Sequence, residues 1–274
     1  MLIKLGYDIQ FQVPSEVPMI ALLNVHPSRT ADLLEPDQIH TEPNIPIAVY
    51  EDSFGNVCSR FVAPAGSLRL YSSTFIADSG QTDPVNPDAR EIPVQDLPPE
   101  VLQFLLASRY CEVDRFLDIA GNLFGNTPPG WARVQAICDW VHNHVTFGYH
   151  FASPTKTAMD VYTQATGVCR DFQHLAITLC RCMNIPARYA TGYLGDIGVP
   201  LLLPMDFSAW FEVYLEGRWW TFDARNNKPR IGRVLMATGR DAADVAITTS
   251  FGTTLLTNFF VVSDEVLQPL AMNQ

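Results

Sequence analysis

The chain has 274 residues, 47 % of them apolar and 17 % charged, a composition that can bury a core and excludes a disordered protein. Its length suggests about two domains. A formal net charge of −11 argues against nucleic acid as a partner, because phosphate binding needs clustered Lys and Arg, and no apolar run approaches the ~18 residues of a membrane span.

The amino terminus, MLIKLGYDIQFQV, alternates apolar and polar residues and lacks the apolar stretch of a signal peptide. Without an export signal, the six cysteines are expected to be reduced thiols, and we predict a cytoplasmic protein. A single residue separates Cys180 from Cys182, so the chain has no Cys-x-x-Cys pair and a zinc ribbon is not expected.

Residues 1–85 are predicted to form an accessory β-sandwich domain. Apolar residues alternate with polar ones over 5–11, which is the period of a half-buried strand. A turn is expected at 52–56. Further strands are expected over 19–25, 47–50 and 68–76.

The segment 77–99 holds five prolines and few large apolar residues. We therefore place a linker at 86–99 and a second domain at 100–274. Helical patterns follow in the second domain over 98–106, 113–124 and 131–144.

The stretch TGVCRDFQHLAITLCRC, 166–182, predicts another helix. Thr166 is the expected N-cap, and Asn184 with Pro186 ends the helix. Apolar residues recur at helical spacing, namely Phe172, Leu175, Ala176, Leu179, Cys180 and Met183. Strands are expected after it over 188–194, 208–215 and 218–223, with later ones around 234, 245–248 and 259–262.

If Thr166 caps this helix, Cys169 lies in its first turn, where free backbone N–H groups and the helix dipole favour a thiolate. Such a position lowers a thiol pKa below ~8.5, and the same N–H groups can bind an oxyanion. The alternative is a buried structural cysteine, which is our interpretation of Cys180 and Cys182. Position alone leaves both interpretations of Cys169 open.

A thiol nucleophile needs a base, and the base needs a group that orients it. Residues 206–227 are predicted to form a hairpin that turns at Glu216 and Gly217. In that register Asp223 lies diagonal to Ser208 on one face of the hairpin, about 7–8 Å away. An imidazole at 208 could reach this carboxylate, whereas a serine is too short and does not titrate near neutrality.

Four segments together resemble the bacterial transglutaminase-like superfamily: Gly-Val-Cys-Arg-Asp-Phe, Asn-Ile-Pro-Ala-Arg-Tyr-Ala-Thr-Gly-Tyr, Ala-Trp-Phe-Glu-Val-Tyr and Trp-Trp-Thr-Phe-Asp-Ala. The similarity spans roughly residues 100–260. It implies an α+β fold, in which a papain-like core of helices on an antiparallel sheet or barrel follows an N-terminal β-domain. It also implies that Cys169 is the nucleophile and Asp223 the orienting acid. Ser208 occupies the position of the family's base, a histidine.

The resemblance implies thiol acyl transfer or hydrolysis on glutamine or peptide amides, with a protein or peptide substrate and with no metal or organic cofactor. A second hypothesis is a non-catalytic module that binds a peptide or protein in the retained cleft. The missing imidazole favours this second hypothesis, whereas the retained Cys169 and Asp223 favour the first.

Three further residues are expected to bind substrate. Trp210 would form a wall of the cleft, with core packing as the alternative. Tyr149 is placed at the same cleft, and Arg225 would face position 208, where its guanidinium could hold Asp223 or steady a thiolate. The alternative for Arg225 is a solvated charge at a strand end.

The histidines offer few substitutes for the missing base. His174 is expected in the core, because it lies about 140° around the helix from Cys169. His142, His144 and His150 are expected to be surface residues, with a metal triad as the less favoured alternative. Of these, His150 is the best candidate for a base. Asp171 is expected on the exposed side of the first turn, paired with an arginine or favouring the helix dipole.

Overall fold

The computed structural model describes residues 1–201 and 204–266, and its architecture is α+β, as expected. The α-helices of this part are α1 (Leu117–Phe124), α2 (Trp131–His144), α3 (Ala158–Gln164) and α4 (Cys169–Cys182). The strands are, in chain order, β1 (Leu2–Val13), β2 (Val17–Ala21), β3 (His40–Glu42), β4 (Ala48–Glu51), β5 (Val57–Ala63), β6 (Gly66–Ala77), β7 (Thr146–Phe147), β8 (Thr166–Gly167), β9 (Ala187–Leu194), β10 (Ser208–Leu215), β11 (Arg218–Phe222), β12 (Arg233–Gly239), β13 (Thr248–Ser250) and β14 (Leu255–Glu265). None of the helices in the described residues has the length and hydrophobicity that a membrane-spanning helix needs.

The expected N-terminal β-structure consists of two four-stranded sheets, β14-β1-β6-β3 and β13-β2-β5-β4. Inward-facing residues of both sheets, such as Leu5, Met19 and Leu70, share one apolar cluster. Strands β13 and β14 pair with β2 and β1, although both come from the far end of the chain. The boundary predicted from the sequence assigned these two strands to the second domain, whereas their pairing places them in the sheets of the first.

The segment predicted as a linker, 86–99, packs against the second half of the chain. Ala89 is buried, and its carbonyl accepts the Trp131 N–H at the start of α2 (3.0 Å). Glu91 forms an ion pair with Arg133, in the first turn of the same helix (3.1 Å). The prolines therefore shape a segment that is held in place at several points, and a proline-rich composition alone does not distinguish such a segment from a flexible linker.

The second half is built on a central sheet with strand order β11-β10-β9-β12. Helix α4 contacts β9 and β10 on one side and α1, α2 and α3 on the others. It is consequently buried all around from Asp171 to Arg181, its polar residues included. Asn56 joins the β-sandwich to this sheet, because its side chain exchanges two hydrogen bonds of 2.8 Å with the Thr238 backbone.

Local patterns predict most of the second half correctly. The turn at Glu216 and Gly217 has positive φ at both residues, and Leu215 pairs with Arg218 as expected. The helix predicted at 98–106 is instead a 3₁₀-helix over Pro99–Leu105, and the one at 113–124 begins as 3₁₀ before α1. Helix α3 was missed, although Thr157 and Asp160 form the capping box that marks its start.

Candidate active site

Cys169 is the first residue of α4, and Asp171 arranges the turn that precedes it. The helix follows Val168, whose N–H donates to the Asp171 carboxylate (2.9 Å). Thr166 is therefore not the N-cap; it lies in β8, which pairs with β7. The expectation of an exposed Asp171 is also wrong, because its side chain is completely buried and pairs with Arg170 (3.0 Å). The first-turn carboxylate thus holds the strand-to-helix turn that presents the thiol.

The Cys169 side chain opens onto a cavity of about 280 Å³ beside the first residue of β10. Its wall brings together residues that are distant in the sequence, among them Phe147, Tyr149, Cys169, Asp206, Ser208 and Arg225. Tyr149, Ser208 and Arg225, all predicted for the site, therefore adjoin Cys169. A larger groove of about 770 Å³ lies in the β-sandwich, but its described lining contains no cysteine or histidine.

The electrostatic environment of the Cys169 thiol favours its protonated form. Burial of the sulfur and the nearby charge of Asp206 raise the pKa of the thiol to about 11. Arg225 and hydrogen bonds from the backbone N–H groups of Arg170 and Ala209 oppose this shift without reversing it. The helix start does supply N–H groups to the sulfur, but desolvation outweighs the dipole, and the expectation of a lowered thiol pKa is wrong.

This environment predicts how the thiol reacts with iodoacetamide. Because the thiolate is the reactive species, the alkylation rate of Cys169 should rise about tenfold per pH unit from pH 7 to 10. Cys169 should also react faster than Cys182, whose pKa burial raises to about 12 and which does not line the cavity. Peptide mass mapping of each cysteine over time measures both effects. Equal rates at the two cysteines would contradict the assignment of Cys169 to an open site.

Asp223 lies just after β11, in a turn that surrounds its carboxylate with donors. The backbone N–H groups of Arg225 and Asn226 donate to Oδ1 (3.0 Å each), and the Asn226 side chain donates to Oδ2 (2.7 Å). Arg233 pairs with Oδ2 (2.9 Å). Burial alone would raise the pKa of Asp223, but Arg233 and the Asn226 bonds hold it below its ordinary value. The guanidinium expected from Arg225 is therefore supplied by Arg233.

Gln173 connects the nucleophile helix to this carboxylate, and the sequence analysis missed it. Its Nε2 donates to Asp223 Oδ1 (3.1 Å) and to the Ala209 carbonyl (3.2 Å), while its Oε1 accepts the Ala224 N–H (3.1 Å). Gln173 lies four residues after Cys169, and this spacing places both side chains on one face of α4. This four-residue spacing is the feature of the sequence that could have identified Gln173 as a residue of the site. The backbone of β10 beside Ser208 is consequently held between the thiol and Asp223.

The other predicted contacts divide between the cavity and the core. Tyr149 is 48 % exposed at the cavity, and the Arg225 guanidinium stacks on the Phe147 ring (4.1 Å). Trp210 is buried, is absent from the described lining of the cavity, and packs against Arg233 (5.1 Å). The position of Trp210 therefore fits core packing, the alternative that the sequence left open. Trp210 contacts the arginine that pairs with Asp223.

The described lining of the cavity contains no imidazole. His142 Nδ1–H donates to the Arg225 carbonyl (2.9 Å), and His144 Nε2–H donates to the Tyr162 carbonyl (2.8 Å). His150 packs on its neighbour Phe151. His174 is buried, as expected, and accepts the Ala242 N–H (3.1 Å). Within residues 1–201 and 204–266 no cluster of three or more His, Cys, Asp or Glu side chains could hold a metal ion.

Comparisons with known proteins show which proteins this chain resembles. Residues 118–224 match the family model described as the transglutaminase-like superfamily. A crystal structure from Cytophaga hutchinsonii, described as a "putative cysteine protease", is 32 % identical, and the match covers 100 % of this chain and 94 % of that one with a TM-score of 0.84. An uncharacterised protein of Mycobacterium leprae (strain TN) is 25 % identical over 230 residues, which are 80 % of this chain and 81 % of that protein.

Proposed function

The chain belongs to the transglutaminase-like superfamily, and on that premise we propose that it is a cysteine enzyme for acyl transfer or hydrolysis at glutamine or peptide amides. The observation that carries the proposal is the place of Cys169, which begins α4 and faces a cavity, with the backbone N–H groups of Arg170 and Ala209 acting to lower the pKa of its thiol. The unpaired cysteines also support a reducing, cytoplasmic location.

In the proposed reaction the Cys169 sulfur forms a bond to the amide carbonyl carbon while a base takes the thiol proton. Backbone N–H groups at the helix start stabilise the oxyanion. The C–N bond then breaks, the leaving ammonia or amine takes up the proton, and a thioester remains on the enzyme. Water or a second amine cleaves that thioester. Ser208 lies at the expected position of the base, but its hydroxyl does not titrate near neutrality and cannot accept the thiol proton.

A second candidate function is a binding module for peptides or proteins. Two observations favour it, namely the raised pKa of the Cys169 thiol and the lack of an imidazole in the described wall of the cavity. Such a module would keep the cleft, the Asp223 turn and the Gln173 bridge, since all three hold the fold around the cavity.

A simple assay separates the two functions. Benzyloxycarbonyl-glutaminylglycine and hydroxylamine are incubated with the protein, and ammonia release and hydroxamate formation are measured. The enzyme hypothesis expects both products, together with a thioester on Cys169 visible by intact mass in an incubation without hydroxylamine, and their loss in Cys169→Ala. Equal product with the wild type and Cys169→Ala, alongside saturable binding of the peptide to both, would instead support the binding module.

A further inference from the structure

Asp206 is an acidic residue in the wall of the Cys169 cavity that the sequence analysis did not consider. It lies on the segment leading into β10, two residues before Ser208, and is half-buried. None of the ion pairs found among the described residues involves it, so its charge is not neutralised by an arginine or lysine at contact distance.

The charge of Asp206 acts on the groups around the cavity. After burial, it is the next cause of the raised pKa values of both the Cys169 thiol and the Tyr149 hydroxyl. Burial also raises the pKa of the Asp206 carboxyl itself, with Phe207 and Arg225 opposing. The charged and titratable groups that share the cavity are Tyr149, Cys169, Asp196, Asp206, Arg225 and Arg230.

We propose that Asp206 is the proton acceptor for Cys169 in this chain, in the role that an imidazole at position 208 would otherwise take. The inference rests on the proposed function. As the sulfur bonds to the amide carbonyl carbon, its proton moves to the Asp206 carboxylate. When the C–N bond breaks, the carboxylic acid returns that proton to the leaving ammonia or amine. The carboxylate is thereby regenerated, and the acceptor is available for cleavage of the thioester.

The geometry supports this assignment at three points. Asp206 and Cys169 line the same cavity, and Ser208, two residues after Asp206, lines it with them. The backbone N–H of Ala209 also acts to lower the pKa of the Cys169 thiol, which places the start of β10 near the sulfur. Partial burial makes the carboxylate a stronger proton acceptor than a solvated aspartate. Arg225 lies at the same wall and offsets the negative charge while the proton is on the leaving group.

The assignment predicts opposite effects of Asp206→Asn on two reactions of one thiol. Alkylation by iodoacetamide depends on the resting thiolate, and removing the carboxylate lowers the thiol pKa, so this substitution should make Cys169 react faster. Acyl transfer depends on proton acceptance during bond formation, so release of ammonia from benzyloxycarbonyl-glutaminylglycine should fall about a hundredfold. A residue that only repels the thiolate would speed both reactions.

Three variants complete the experiment. Asp118→Asn is the control. It removes one negative charge from an exposed position of α1 that does not line the cavity, and it should leave the rates of alkylation and acyl transfer within a factor of about two. Ser208→His/Asp206→Asn should retain most of the activity of Ser208→His, because the imidazole then accepts the proton. Faster acyl transfer by Asp206→Asn than by the wild type overturns the proposal. Acyl transfer by Ser208→His together with none by the wild type overturns it as well. If no variant, Ser208→His included, forms a thioester on Cys169, the proposed function itself fails.

Discussion

Replacing Ser208 by histidine is expected to raise amide acyl transfer, and by about a hundredfold to ten-thousandfold where Asp206 is also replaced by asparagine, the usual gain from a positioned general base. Ser208 is the first residue of β10 and lines the cavity beside Cys169. An imidazole titrates near neutrality and can accept a thiol proton at physiological pH, which a serine hydroxyl cannot do. The measurement is ammonia release and hydroxamate formation from benzyloxycarbonyl-glutaminylglycine.

The backbone around position 208 explains why the new imidazole should work without redesign. The Ala209 N–H acts to lower the pKa of the Cys169 thiol, and the Ala209 carbonyl shares the Gln173 side-chain amide with Asp223. The backbone at residue 208 therefore already lies between the Cys169 thiol and the Asp223 carboxylate. The cavity of about 280 Å³ can accept the larger ring.

Two matched variants make the result interpretable. Ser208→Ala removes the hydroxyl without adding a base and should show no gain over the wild type. Ser208→His/Cys169→Ala should be inactive, because the gain requires the thiol. A contrary result is a Ser208→His protein that folds and is alkylated at Cys169 by iodoacetamide but forms no thioester. That result would show that the Asp223 turn does not orient a base at position 208.

Replacing Arg233 by methionine is expected to lower the free energy of unfolding by about 3–5 kcal/mol, the usual cost of breaking a buried ion pair from one side. Arg233 pairs with Asp223 (2.9 Å) and Asp83 (2.8 Å), and its side chain is only 7 % exposed. Methionine keeps much of the apolar stem that packs on Trp210 but leaves both carboxylates without their cation. Urea unfolding at pH 7 measures the change.

Arg240→Met is the matched control for that substitution. Arg240 pairs with Asp244 four residues away, and its side chain is 43 % exposed. A solvated pair of this kind contributes about 0.5 kcal/mol or less. If Arg233→Met costs no more than Arg240→Met, the Asp83–Arg233–Asp223 cluster does not stabilise the fold as argued.

The Arg233 cluster also predicts a pH dependence. Arg233 holds the pKa of Asp223 below its ordinary value, so the stability it contributes is complete above pH ~4 and is lost as pH falls through the lower folded-state pKa. Without Arg233, burial is expected to raise the pKa of Asp223 instead. The difference in unfolding free energy between the wild type and Arg233→Met should therefore be largest at pH 7 and shrink toward pH 3. A difference that grows on acidification would contradict this assignment.

Features that depend on neighbouring residues are predictable from this sequence, whereas features that depend on long-range contacts are not. The helix after Cys169 and the hairpin turn at Glu216 and Gly217 were predicted correctly, because helical spacing and turn chemistry depend on neighbouring residues. Helix α3 carries a comparable local signal in the capping box of Thr157 and Asp160. The start of α4 was misplaced because Asp171, a carboxylate inside the first turn, takes the capping role expected of Thr166.

The sequence by itself determined that Cys169 lies in the first turn of a helix, that Ser208 and Asp223 share one end of a hairpin, and that an imidazole is missing between them. Only the tertiary structure decided the protonation of the thiol and the partners of Asp223. Desolvation and charge depend on whatever surrounds a group in space: Asp206 and Arg225 at the cavity, and Arg233 behind Asp223. The same reason explains why β13 and β14 complete the N-terminal sheets, since strand pairing between chain ends leaves no local pattern.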